Sequence, residues 1–280
     1  MKAAGIFISL IVSAHMVLPA LALAQAKDQS TIQPSQSESR LDTRERNASI
    51  LSAAAVGDLT AAQAALINGA NVNAADVDGI TPLMQAARYG NAAMVSFLLE
   101  NGADVNQQDN HGVTALLQAS WAGHAGIAQT LLLHGARPAP GGASETAAIP
   151  EKKGINALIA ASMSGNYDVA RMLIQHKVNL NDRDEDGETA LTYAIRNGHM
   201  EIVRLLINSG AKINARDQYG RTPLMLAAIY GREQIARLLL SRGANSNAVD
   251  SQGLDATKYA WALDREGILR MLESSRTSVR

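Results

Sequence analysis

Cysteine does not occur in the 280 residues, so the chain holds no disulfide framework and no lipid attached at a cysteine. Aromatic residues make up 4% of the sequence against 47% for apolar residues as a whole. That balance excludes a core built from a few bulky rings and favours many small contacts between Ala and Leu side chains. An excess of one charge is missing too: 25 basic and 26 acidic residues leave a net charge of −1, and nothing advertises nucleic-acid binding. Catalytic signatures are absent. There is no G-x-S-x-G elbow, no P-loop, no dinucleotide fingerprint and no H-E-x-x-H pair, so neither an enzyme nor a bound cofactor is expected.

The first residues, "MKAAGIFISLIVSAHMVLPALALAQAKDQS", carry Lys2, then an uncharged apolar run, Pro19, and the small residues Ala22 and Ala24 around Leu23. That order of parts reads as a signal peptide over 1–24, cleaved after Ala24 or, at the second A-x-A, after Ala26. Residues 3–24 are also long enough to span a bilayer, which leaves an uncleaved anchor as the alternative. Export of a bacterial type to the periplasm is expected, with secretion beyond the cell as its rival. Removing 1–24 takes away Lys2 alone among charged groups and leaves a net charge of −2. Residues 25–42 are polar and too poor in large apolar side chains to build a core, so they read as a flexible linker.

Beyond that the chain keeps time. Gly79 and Gly112 are 33 residues apart, and Gly154, Gly187, Gly220 and Gly253 follow at the same interval. Two residues after these glycines come Thr81, Thr114, Asn156, Thr189, Thr222 and Asp255, side chains that can accept from the free N–H groups of a first helical turn. Pro82 and Pro223 follow two of them, at a place where a missing N–H costs nothing. Gly90, Gly123, Gly165, Gly198 and Gly231 then end a short helix. A second helix carries paired apolar residues such as Leu98 and Leu99 or Leu206 and Ile207. It stops at another glycine, except in the fourth repeat, where Lys177 is expected to strain the helix end. A single interval, Gly112 to Gly154, is nine residues too long, and the excess falls at 139–147.

The units "DVDGITPLMQAARYGN" and "DQYGRTPLMLAAIYGR", with leading Asp76, Asp109, Asp184, Asp217 and Asp250, resemble the ankyrin repeat. The resemblance runs over about 43–275 and implies an all-α repeat solenoid of about seven repeats, each a helix-turn-helix with a hairpin-like loop, followed by a tail at 276–280. It implies a concave face made by loop tips and first helices. The family's usual His after "TPL" is replaced by Met84, Leu117, Ile159, Thr192, Met225 and, in the last repeat, Tyr259, so packing is expected to stand in for the inter-repeat hydrogen bonds of that His. End repeats need polar outer faces, and both ends are rich in charge.

Two readings compete for the acidic loop "DRDEDGE". Asp182, Asp184 and Asp186 alternate as in a calcium loop, but Tyr193 stands at the twelfth position in place of Glu, and a solvated hairpin tip is the expectation. His124 and His199 fall at the start of second helices and read as structural, and no metal site is expected. What remains is surface. Ile80, Arg88, Tyr89, His111, Trp121, Arg196, Tyr219, Arg221 and Tyr230 are the expected partner-binding residues, with Val113 and Glu188 on the same face. Tyr, Trp and Arg are the residues that dominate interfaces, although these rings could instead fill a shallow groove. The expected function is non-enzymatic binding of another protein as scaffold or supporting partner, by a monomer with no nucleic acid and no stable membrane insertion. The alternative is an inhibitor or immunity protein that occludes a toxin or enzyme active site.

Overall fold

A computed structural model describes residues 36–138 and 154–277. The chain divides after Asp42, and the described part of the first unit is the opening of a helix, α1 (Gln36–Val56), that begins inside the stretch read as linker. The second unit holds the repeats. Fourteen helices and no strand occur among the described residues. First helices are α1, α3 (Pro82–Tyr89), α5 (Ala115–Ala122), α7 (Ala157–Ser164), α9 (Ala190–Asn197), α11 (Pro223–Ile229) and α13 (Ala256–Ala262). Second helices are α2 (Leu59–Ile67), α4 (Ala92–Glu100), α6 (Ala125–Leu133), α8 (Tyr167–Gln175), α10 (Met200–Asn208), α12 (Glu233–Ser241) and α14 (Glu266–Thr277). From α3 onward each first helix packs on its partner and on the first helices of adjoining repeats, as second helices do among themselves. No described helix is long and apolar enough to cross a membrane.

Capping follows the periodic polar residues. Thr81, Thr114, Asn156, Thr189, Thr222 and Asp255 each accept from the backbone N–H three residues on, at 2.8 Å for Asn156 and Asp255 and 3.3 to 3.4 Å for the threonines. The residue three past the cap closes the box in three repeats: Met84 and Met225 sulfurs and the Thr192 hydroxyl accept from the cap N–H of Thr81, Thr222 and Thr189. This register corrects the last repeat. Asp255 caps Lys258, so Lys258 occupies that position and Tyr259 lies one residue further on.

Packing does not carry the repeat junctions alone, contrary to the expectation. The first residue after each inner-turn glycine reaches back to carbonyls at the end of the preceding first helix. Asn91 donates to Ala54 O and Ala55 O, Asn166 to Ser120 O and Trp121 O, and Arg232 to Arg196 O, while His124 and His199 Nε2 meet Arg88 O and Met163 O at 3.2 and 3.1 Å. These carbonyls have no partner inside their own helix, so the bonds satisfy groups that burial would otherwise leave unmatched. Glycine is required between them. At Gly123 φ is +83°, and a Cβ there would lie 2.7 Å from Asn166 Oδ1. Lys177 does take the left-handed conformation, φ 58°, as does Asp264 at φ 56°, where other repeats have glycine.

The core is a row of small contacts. Ala86, Ala87, Ala119, Ala160, Ala161, Ala194, Ala227 and Ala228 are fully buried, which lets first helices approach closely, and Leu98, Leu131, Leu173, Leu206 and Leu239 seal the second helices. The nine extra residues, 139–147, lie outside the described residues. On their near side the loop follows the common pattern up to Pro138: Arg137 N donates to Asn106 Oδ1 at 2.9 Å, and Asn106 to Gly135 O at 3.1 Å. On their far side α7 packs on α5 as the other first helices pack on theirs.

Candidate functional site

The hairpin aspartates build the loop tips. Asp184 Oδ1 accepts from the backbone N–H of Asp186 and Glu188, and Asp217 and Asp250 repeat the pattern at their own loops. Each second oxygen is then held by a side chain: Tyr193 OH at 2.7 Å from Asp184, Arg221 Nε at 2.7 Å from Asp217, and Tyr259 OH at 2.6 Å from Asp250. Tyr193 in α9 and Tyr259 in α13 thereby lock loop tip to first helix, whereas the Asp217–Arg221 pair braces its own loop.

A charged and aromatic network grows from these anchors. Arg196, in the last turn of α9, pairs with Glu188, whose side chain is 2% exposed. Its guanidinium lies 5.2 Å from the Tyr193 ring centroid and 5.7 Å from that of Tyr230, which belongs to the next repeat. Arg221 pairs with fully buried Asp217 and stacks 4.7 Å from the Tyr219 centroid. Burial opposes the charge on Arg221, but its hydrogen bond and attraction to Asp217, helped by Glu188, outweigh that and raise its pKa. Both guanidiniums are therefore charge-compensated from beneath and held by rings at the sides. Tyr219 is 53% exposed and Tyr230 37%, so their outer faces remain open to a partner.

Of the nine expected binding residues, Arg196, Tyr219, Arg221 and Tyr230 share this network. Arg88 and Tyr89 form a second group in an earlier repeat, with the guanidinium 5.8 Å from the ring centroid. His111 is exposed at its turn. Ile80 and Trp121 are half-buried and pack against the core. Val113 and Glu188, placed on the face by register, are buried at 6% and 1% exposure, Glu188 because its carboxylate turns inward to Arg196. Sequence reasoning placed Glu188 on this face and Asp217 in its hairpin but gave neither of them, nor Tyr193, the role of anchor. One signal was present: Tyr193 and Tyr259 each stand nine residues after a hairpin Asp.

The acidic loop is not the triplet its spacing implied. Asp182 turns away to Asn156 and Asn179, and the carboxylates that approach one another within 4.8 Å are Asp184, Asp186 and Glu188. Their oxygens are already engaged: Asp184 with Tyr193 and backbone, Asp186 with Gln218 Nε2 at 2.7 Å, Glu188 with Arg196. Hydrogen bonds to the loop thus account for the cluster.

The family model for ankyrin repeats in three copies matches residues 50–140 and 143–217, and that for ankyrin repeats in many copies matches 197–240. The crystal structure of the human ASB11 ankyrin repeat domain superposes with a TM-score of 0.70 at 28% identity, covering 80% of this chain and 96% of that one. No curated protein sequence matches the chain. Ankyrin repeats are protein-interaction modules, and nothing in these matches indicates catalysis. With the matched segments spanning more than half its length, this chain belongs to the ankyrin-repeat family.

Proposed function

We propose that the chain is a non-enzymatic scaffold that binds another protein through its concave face, after export to the periplasm by a cleaved leader. The observation that supports the binding reading is the Arg196 network. A guanidinium seated between Tyr193 and Tyr230 and neutralised by buried Glu188 is already ordered, so a partner loses little side-chain entropy on docking. Exposed Tyr and compensated Arg are also the residues that supply most interface energy.

The test is affinity capture from a periplasmic extract with the parent protein and with Tyr230→Ala, the captured protein then being titrated against both. The reading expects one enriched protein whose binding weakens by about 1 to 4 kcal/mol in the variant. Equal binding by both proteins overturns the assignment of this face. If the captured protein is an enzyme or toxin that loses activity on binding, the role is inhibition. Export is checked separately: the purified protein begins at Gln25 or Lys27, and an intact Met1 in the membrane fraction replaces export with anchoring.

A further inference from the structure

The residue before the first-helix cap is apolar at Ile80, Val113, Ile155 and Leu254, and charged in two adjacent repeats, at Glu188 and Arg221. The fold does not need charge at this place, and a buried ion pair adds little stability over apolar packing. What the charges change is the surface. Arg196 spends Nη2 on Glu188, and Arg221 spends Nε on Asp217. Nη1 of Arg196 and both Nη atoms of Arg221 make no hydrogen bond with a described residue, and none of these atoms is buried. Unspent donors therefore meet solvent beside the open faces of Tyr219 and Tyr230.

The acids around them decide what those donors can accept from. Asp184, Asp186 and Glu188 bring carboxylate oxygens within 4.8 Å of one another. Asp217 and Glu188 both favour the charge on Arg221, which in turn favours that on Asp250. Arg183 and Arg216 are tied to loop carbonyls, and even with them the carboxylates outnumber the guanidiniums. An incoming carboxylate would add to an excess of negative charge. An incoming cation would meet outward guanidiniums, because the acids spend oxygens on loop N–H groups, Tyr193, Gln218 and the arginines themselves. A neutral acceptor is what remains.

We propose, resting on the reading that this face binds a protein, that it takes an extended, proline-rich segment without acidic side chains. Main-chain carbonyls of that segment accept from Arg196 and Arg221, and its prolyl rings lie on Tyr219 and Tyr230. A chain in the polyproline II conformation leaves every carbonyl free of internal hydrogen bonds, and aromatic-lined grooves receive its flat rings.

Titration of the full chain with two peptides tests it: one of about ten residues alternating Pro and Ala, and one with Glu in place of each Ala. The uncharged peptide is expected to bind, the acidic one about tenfold more weakly, and Tyr230→Ala to weaken the uncharged one by about tenfold. Added salt should leave the uncharged peptide's affinity unchanged, since that peptide brings no charge to screen. Glu188→Gln removes one of the surrounding negative charges at constant shape, and should narrow the gap between the two peptides. An acidic peptide that binds as tightly as the uncharged one, or no binding by either, overturns the proposal. Should Glu188→Gln fail to fold, the two peptides on the parent protein decide alone. None of these failures touches the concave face as the binding surface, a reading that falls when a captured protein ignores Tyr230→Ala.

Discussion

The Asn166 side chain donates to the carbonyl of Trp121 at 2.8 Å, across the one irregular interval of the chain. The same amide nitrogen reaches Ser120 O at 2.9 Å, just as Asn91 reaches Ala54 O and Ala55 O in a regular interval. The junction of the third and fourth repeats therefore keeps the geometry of the others, whatever lies in the long loop. Asn166→Ala leaves two helix-end carbonyls without their partner, and an expected loss of about 1 to 3 kcal/mol follows. Denaturant unfolding measures it, and a change within a few tenths of a kcal/mol would show that water replaces the amide at no cost.

Shortening the loop should do far less. Arg137 and Asn106 fix its near side, and Asn166 ties the helices beyond its far side, so removal of 139–147 leaves those bonds untouched. Closing a flexible loop changes by about 0.6 kcal/mol per doubling of length. A melting temperature within a degree or two of the parent is expected. A collapse of stability in the deletion would mean that these residues hold the stack together.

Trp121 and Tyr230 have different surroundings and should answer differently to alanine. Trp121 is half-buried and packs on the core, so Trp121→Ala costs about 2 kcal/mol of stability, less than a fully buried ring would. Tyr230, with its ring over Arg196 and its outer face open, gives a smaller loss and a larger effect on partner binding. Thermal melts of the two variants side by side check this. Equal destabilisation would make both rings packing elements.

Tyr259 and Asp250 make stability at the last repeat depend on pH in a definite direction. Burial, and after it the bond to Asp250, push the Tyr259 hydroxyl up to about 12 from 10.0. Burial opposes ionisation of Asp250, yet the bonds from Tyr259, Leu254 N and Gln252 N lower its pKa below 3.8. A phenol raised on folding supports the fold fully below its unfolded value of 10.0 and loses that support as pH climbs through about 12. A carboxylate lowered on folding gives support above 3.8 that fades as pH falls further. The melting temperature should therefore be flat between these limits and drop beyond both, and Tyr259→Phe should cost about 1 kcal/mol of stability on the plateau and flatten the alkaline limb. An alkaline limb that survives Tyr259→Phe would assign it to other groups.

The period of 33 residues determined much of this protein without help from tertiary structure. Thr81, Asn156 or Thr222 caps a helix because its own oxygen reaches an N–H three residues away, and Gly90 or Gly123 ends one because φ near +80° excludes most other residues. Those are local rules, and local rules are written in local sequence. Which side chains meet across repeats is a different matter. That Asn166 holds Trp121 O, that Arg196 lies between two rings of different repeats, and that Glu188 turns inward rather than out depends on how far apart and at what angle the helices pack. Residues such as Arg196 and Tyr230, 34 positions apart in the chain, become neighbours through stacking alone.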